Sequence, residues 1–139
     1  MTFEELDKLV ISWGNDKGLI KRENSEKQFM KFIEEVFEFK AEMDKVLWLD
    51  KIDEPTRYDI NKLLRKTRDM KLEMGDILVT LIILSAQLDI DLVECLEMAY
   101  QKISKRKGKT VDGNFYKQED LEGMEWEKEL MKKEKDTEN

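Results

Sequence analysis

Apolar residues recur at helical spacing along most of the chain. Phe3, Leu6, Val10 and Trp13 mark one face of a first helix, with Asp7 and Lys8 facing away. Thr2 and Glu5 form a capping-box pattern before it, and Gly14 and Gly18 are expected to end it. Asn24 or Ser25 caps a second helix, whose face reads Phe29, Phe32, Val36, Phe39 and Met43, running to about Leu49. Asp53, Glu54 and Pro55 read as a turn. A third helix is expected from about Thr56 to Leu88, with a break near Arg68 to Lys71.

The stretch Ile77 to Leu84 has no polar side, which predicts burial on every face, often by another subunit. A buried strand competes for this run, but its flanks and length favour a helix. Asp91 caps a fourth helix to about Lys105, with Leu92, Leu96, Ala99 and Ile103 facing inward and Gly108 closing it. Asp112-Gly113-Asn114 signals a small hairpin. A last helix forms around Leu121, Met124 and Trp126, and Lys132 to Asn139 are expected to be disordered. The pattern describes an all-α fold: a bundle of four or five helices with a small C-terminal β-hairpin. The chain is expected to divide into a domain over 1–118 and a C-terminal helix with a frayed tail over 119–139.

Composition narrows the chemistry. Charged residues are 41% of the chain, which suits amphipathic helices, and a single Pro with six Gly leaves few breakers. The net charge of -7 argues against a nucleic-acid-binding surface. No segment is long and apolar enough to span a bilayer and no signal-peptide layout appears, so a cytoplasmic protein is expected. The lone Cys95 allows no internal disulfide. The chain has no histidine, which removes His-activated nucleophiles and the usual zinc ligand. An enzyme built from this chain would use carboxylates, Lys, Arg, Tyr or a hard cation held by oxygen.

Two acidic pairs sit where apolar helices begin. Glu35 lies roughly 40° from Phe39 and 60° from Phe32 on a helical wheel, at the edge of the apolar stripe. Glu38 follows one turn on, and Glu73 and Asp76 repeat the i,i+3 spacing directly before Ile77. Unpaired neighbouring carboxylates repel, and near a core they lose solvation as well. Four such groups call for a cation, with Mg²⁺ the first choice and Mn²⁺ a possible substitute. Gly75 would let a helix or ligand approach closely. Solvated helix faces are the plainer reading of either pair alone.

A basic cluster stands against the acidic background: Lys102, Lys105, Arg106, Lys107 and Lys109. Lys102 and Arg106 share a helical face and could grip adjacent phosphate oxygens. The alternative is a cationic helix end complementing the macrodipole. Asn24, Gln28 and Lys31 precede Glu35 by one to three turns and are candidate substrate contacts or solvated surface. Trp13, Trp48, Trp126 and Tyr100 read as core or interface more readily than as a base platform.

The segments Glu34-Glu35-Val36-Phe37-Glu38 and Glu73-Met74-Gly75-Asp76, the run Ile77 to Leu92, and Lys102 with Arg106 together resemble the MazG-like pyrophosphohydrolases, in their small bacterial and phage branch. Trp13 to Ile20, Asn24 to Glu35, and Arg106 to Lys109 with Val111 to Phe115 fit the same branch. The resemblance implies an all-α homodimer or homotetramer that converts (d)NTP to (d)NMP and pyrophosphate with Mg²⁺. It implies Glu35, Glu38, Glu73 and Asp76 as metal ligands and Glu34 as an auxiliary group. A water-orienting carboxylate would come from Glu34, Glu35 or Glu38, and Lys102 and Arg106 would contact phosphate. The segment between Glu38 and Glu73 is longer than is usual in the family, so 44–70 reads as a helical insertion. The alternatives outside catalysis are an acidic helical interaction module and a nucleotide or metal sensor.

Overall fold

A computed structural model describes residues 1–137. Five helices and one hairpin follow in order: α1 (Phe3–Asp16), a 3-10 turn (Arg22–Asn24), α2 (Ser25–Asp50), α3 (Arg57–Gln87), α4 (Leu92–Ser104), β1 (Gly108–Val111), β2 (Asn114–Lys117) and α5 (Gln118–Thr137). The chain is all-α apart from that hairpin. It forms two compact units, Met1–Cys95 and Leu96–Asn139.

In the first unit, α2 and α3 make the dominant helix pair and α1 packs on α3. Thr2 with Glu5 and Thr56 with Asp59 both complete capping boxes, each satisfying otherwise orphaned amides. Asn24 stands at the N-cap of α2 without a side-chain bond, while the Ser25 hydroxyl donates back to the Arg22 carbonyl. Helix α3 runs unbroken through Arg68 to Lys71, because packing along α2 supports it over its length. Segment 44–70 forms the distal end of the α2–α3 hairpin.

Polar contacts across that hairpin keep a seven-residue beat. The Gln28 amide donates to the Thr80 carbonyl at 3.2 Å. Glu35 approaches Glu73 and Asp76, and Glu42 faces Lys66 at 3.6 Å. Positions 28, 35 and 42 thus meet 80, 73 and 66, the spacing of antiparallel helices packed along a heptad seam. Val46, Leu49, Ile82 and Ile83 are the buried apolar side chains of the core among the described residues, and Ile83 is the most completely enclosed.

Several details depart from the sequence pattern. On α1 the buried residues are Asp7 and Gly14, while Phe3, Leu6 and Trp13 are exposed. A Cβ on Gly14 would meet Ile83 Cδ1 at 2.5 Å, so glycine here permits close helix packing and does not end α1. Gly18, at φ 70°, supplies the left-handed stop instead. The end of α3 has a similar stop without glycine: Asp89 takes φ 55°, and the Asp89 and Ile90 amides bond to the Ala86 and Ser85 carbonyls.

In the second unit, Gly108 does not close α4. It opens β1 opposite Lys117, where a Cβ would lie 2.0 Å from the Tyr116 carbonyl oxygen. Asp112 and Gly113 both have positive φ, as a two-residue type I′ hairpin requires. The expected inner face of α4 is uncovered in one chain, since Leu96 and Ile103 are exposed and no residue of α4 is buried. Residues 132–137, expected to be disordered, continue α5. Lys132, Lys133, Glu134 and Lys135 are strong helix formers, and Glu129 lies four residues before Lys133. The same expectation for Glu138 and Asn139 lies outside the described residues.

Candidate metal centre

Both helices that carry the acidic pairs are long and packed together, and α3 starts on a capping box, so their carboxylates are held by rigid backbone. Glu35, Glu73 and Asp76 each present an oxygen within 4.8 Å of the others. Glu35 is buried at 7% exposure, and Glu73 Oε2 is buried with no hydrogen-bond donor. An orphaned buried carboxylate oxygen is costly without a positive partner. The donor set is all oxygen, which suits a hard divalent cation such as Mg²⁺, Mn²⁺ or Ca²⁺. The residues present therefore fit a metal ion.

Glu38 is not one of the three converging groups, but it feels them. Glu35 first, then desolvation and Glu73, push its carboxyl above the ordinary glutamate value. Lys31 reaches forward along α2 to Glu35 at 3.1 Å and Glu34 at 3.2 Å. Those two acceptors hold its ammonium above the usual lysine value. Lys31 is thus a counter-charge to the acidic set, a role its i,i+4 spacing to Glu35 already allowed. Glu34 is exposed. The Gln28 amide is engaged by the α3 backbone, and Asn24 is half-buried at the end of the 3-10 turn. A Cβ on Gly75 would meet nothing within 4 Å, so no neighbouring helix explains this glycine.

Lys102 and Arg106 belong to the second unit. There they line a cavity of about 490 Å³ with Lys105, Lys107 and Lys117, and the start of α5 adds Gln118 and two acids, Glu119 and Glu122. The Gln118 amide donates to the Lys107 carbonyl at 2.7 Å, which ties the start of α5 to the basic segment. Lys117 is the cation the sequence reading missed. It lies fifteen residues after Lys102 in sequence, and only the hairpin register, Gly108 opposite Lys117, brings it back. No helix among the described residues is long and apolar enough to cross a membrane.

No curated protein and no solved structure matches the chain at a significant level. The family model described as the MazG nucleotide pyrophosphohydrolase domain matches residues 24–111, from the start of α2 to the end of β1. The matched stretch contains both acidic pairs and the Lys102–Arg106 pair, and it spans more than half of the chain. On that match the chain belongs to the family of MazG nucleotide pyrophosphohydrolase domains.

Proposed function

We propose that this protein hydrolyses nucleoside and deoxynucleoside triphosphates to the monophosphate and pyrophosphate with a bound divalent cation, Mg²⁺ first and Mn²⁺ as a substitute. Family membership supports a pyrophosphohydrolase-type hydrolase in general. The observation that carries the finer reading is the convergence of Glu35, Glu73 and Asp76 around a buried, undonated Glu73 oxygen.

Glu35, Glu73 and Asp76 would hold the cation, with Glu38 one turn along α2 completing the set. When bound, such an ion neutralises phosphate charge and polarises a phosphoryl oxygen. The chain's own residues do the rest. A carboxylate among Glu34, Glu35 and Glu38 orients the attacking water and accepts its proton. The water oxygen bonds to phosphorus as the anhydride link between the α- and β-phosphates breaks. Lys102 and Arg106 take up the charge on the departing pyrophosphate.

The active form is proposed to be a homodimer or homotetramer. Buried apolar side chains are few, while Phe37, Trp48 and Leu64 are each at least 65% exposed in the single chain. A second copy would cover such surface and the uncovered face of α4.

The test is a panel of the eight common NTPs and dNTPs with Mg²⁺, scoring pyrophosphate against phosphate. Metal-dependent pyrophosphate with an equal amount of monophosphate is expected for at least one of them. Saturable nucleotide binding without turnover would instead favour a nucleotide sensor.

A further inference from the structure

A second carboxylate pair lies away from the metal centre. The side of α1 that meets α3 carries an acid, Asp7, only 8% exposed. Among the described residues no hydrogen bond and no ion pair reaches its carboxylate. It lines a cavity of about 240 Å³ with Ile11, Ile82, Ser85, Ile90, Asp91 and Leu92.

The turn at Asp89 builds this cavity. By bonding the Ile90 amide to the Ser85 carbonyl, it folds the start of α4 back over the end of α3. Asp91 then caps α4 through one oxygen, which accepts from the Val93 and Glu94 amides at 2.8 and 3.2 Å. Its other carboxylate oxygen remains available. The Ser85 hydroxyl donates to the Leu81 carbonyl and keeps its lone pairs. Three oxygen-bearing side chains thus share a space large enough for an ion with several waters. Burial first, then the charge of Asp91, raise the Asp7 carboxyl above the ordinary aspartate value, against a smaller opposing effect of Lys8. Repulsion of that kind is relieved by a cation between the two acids.

We propose that Asp7, Asp91 and Ser85 form a second cation site, which takes a hydrated divalent ion and ties α1 to the α3–α4 turn. Ser85 lies nine residues beyond Asp76, about 13 Å along the helix axis, so this is not an extension of the first set. The inference does not rest on the proposed activity.

Mn²⁺ serves as the probe, with bound ions per chain counted by calorimetric titration of the full-length protein. The background is Glu73→Gln with Asp76→Asn, which dismantles the other carboxylate set. This background is expected to retain one Mn²⁺ per chain. Adding Asp7→Asn should weaken that binding by at least about tenfold. Asp91→Asn keeps an oxygen to cap α4, and should have the same effect if Asp7→Asn fails to fold. Equal Mn²⁺ binding with and without these changes would overturn the proposal. So would no binding in the background at millimolar Mn²⁺.

Discussion

Two neighbouring layers of the α2–α3 hairpin share one geometry and differ in charge. The first holds Glu35, Glu38, Glu73 and Asp76. Seven residues further from the helix starts on α2, and seven residues earlier on α3, stand Glu42, Lys45, Lys66 and Asp69. Two of the four acids have become lysines. The second layer neutralises itself: Lys45 meets Glu42 at 2.8 Å, and Lys66 meets Asp69 at 3.3 Å and Glu42 at 3.6 Å. A buried carboxylate oxygen without a hydrogen-bond donor occurs in both layers, on Glu42 and on Glu73, but the Glu42 oxygen has Lys66 at 3.6 Å, whereas the first layer has only Lys31, at its outer edge beside Glu35. The same scaffold thus accommodates either an internal ion network or a gap in positive charge. A sequence that keeps acids at all four positions of one layer, beside a layer that does not, leaves that layer without an internal counter-ion, which is what the proposed cation would supply.

Copying the second layer into the first should have the largest effect. Glu73→Lys places an ammonium where Lys66 stands one heptad away. Pyrophosphate release should fall by roughly a thousandfold or more, while circular dichroism stays helical. Full activity in this variant would remove the carboxylate layer from the mechanism.

Next in size are the cations of the second unit. Arg106→Ala should slow pyrophosphate release roughly tenfold to a thousandfold, and Lys102→Ala should act in the same direction. Lys109→Ala, beyond Gly108, should do much less. Melting temperatures should move little in all three, because exposed cations contribute little to folding. Unchanged rates throughout would return Lys102 and Arg106 to a solvated surface.

The reverse exchange acts on the second layer. Lys66→Glu leaves Glu42 and Asp69 facing a third acid in a part-buried layer. Urea denaturation should show a loss of about 1–3 kcal/mol, partly restored by Mn²⁺. An unaltered midpoint would mean that the Lys66 contacts do not hold the hairpin.

The smallest effect concerns pH. The raised carboxyl of Glu38 means the folded chain holds that proton more tightly than the unfolded chain. Its contribution to stability is fully present below the ordinary glutamate value of 4.5 and is lost as pH rises through the elevated folded value. Metal-free Glu38→Gln should therefore melt slightly higher than wild type at neutral pH. The difference should fade toward pH 4. A gain that persists unchanged in acid would point to packing, not charge.

Much of this was legible in the sequence because helix periodicity is local. The capping box at Thr2, the Asp91 cap and the Asp112-Gly113 turn each depend on neighbours within four residues. The acidic pairs were legible for the same reason, each being one helical turn. What escaped was set by contacts far apart in sequence. Wheel geometry placed Asp7 outward, because the apolar stripe of Phe3, Leu6 and Trp13 is the stronger signal. The single chain instead buries the Asp7–Gly14 side against α3 and exposes that stripe. Gly108 resembled a helix stop because the Tyr116 carbonyl that requires a glycine there comes from the returning strand. The heptad relation between the two charge layers appears only when α2 and α3 are read against each other.

On the proposed function, the converging carboxylates of α2 and α3 serve the hydrolysis of a nucleoside triphosphate to pyrophosphate. The most direct test of that role is product analysis for wild type and Asp76→Asn, each with the best nucleotide of the panel, with Mg²⁺ and with a chelator. Equal amounts of monophosphate and pyrophosphate should form only with wild type and Mg²⁺. Undiminished turnover in Asp76→Asn, or orthophosphate in place of pyrophosphate, would contradict it.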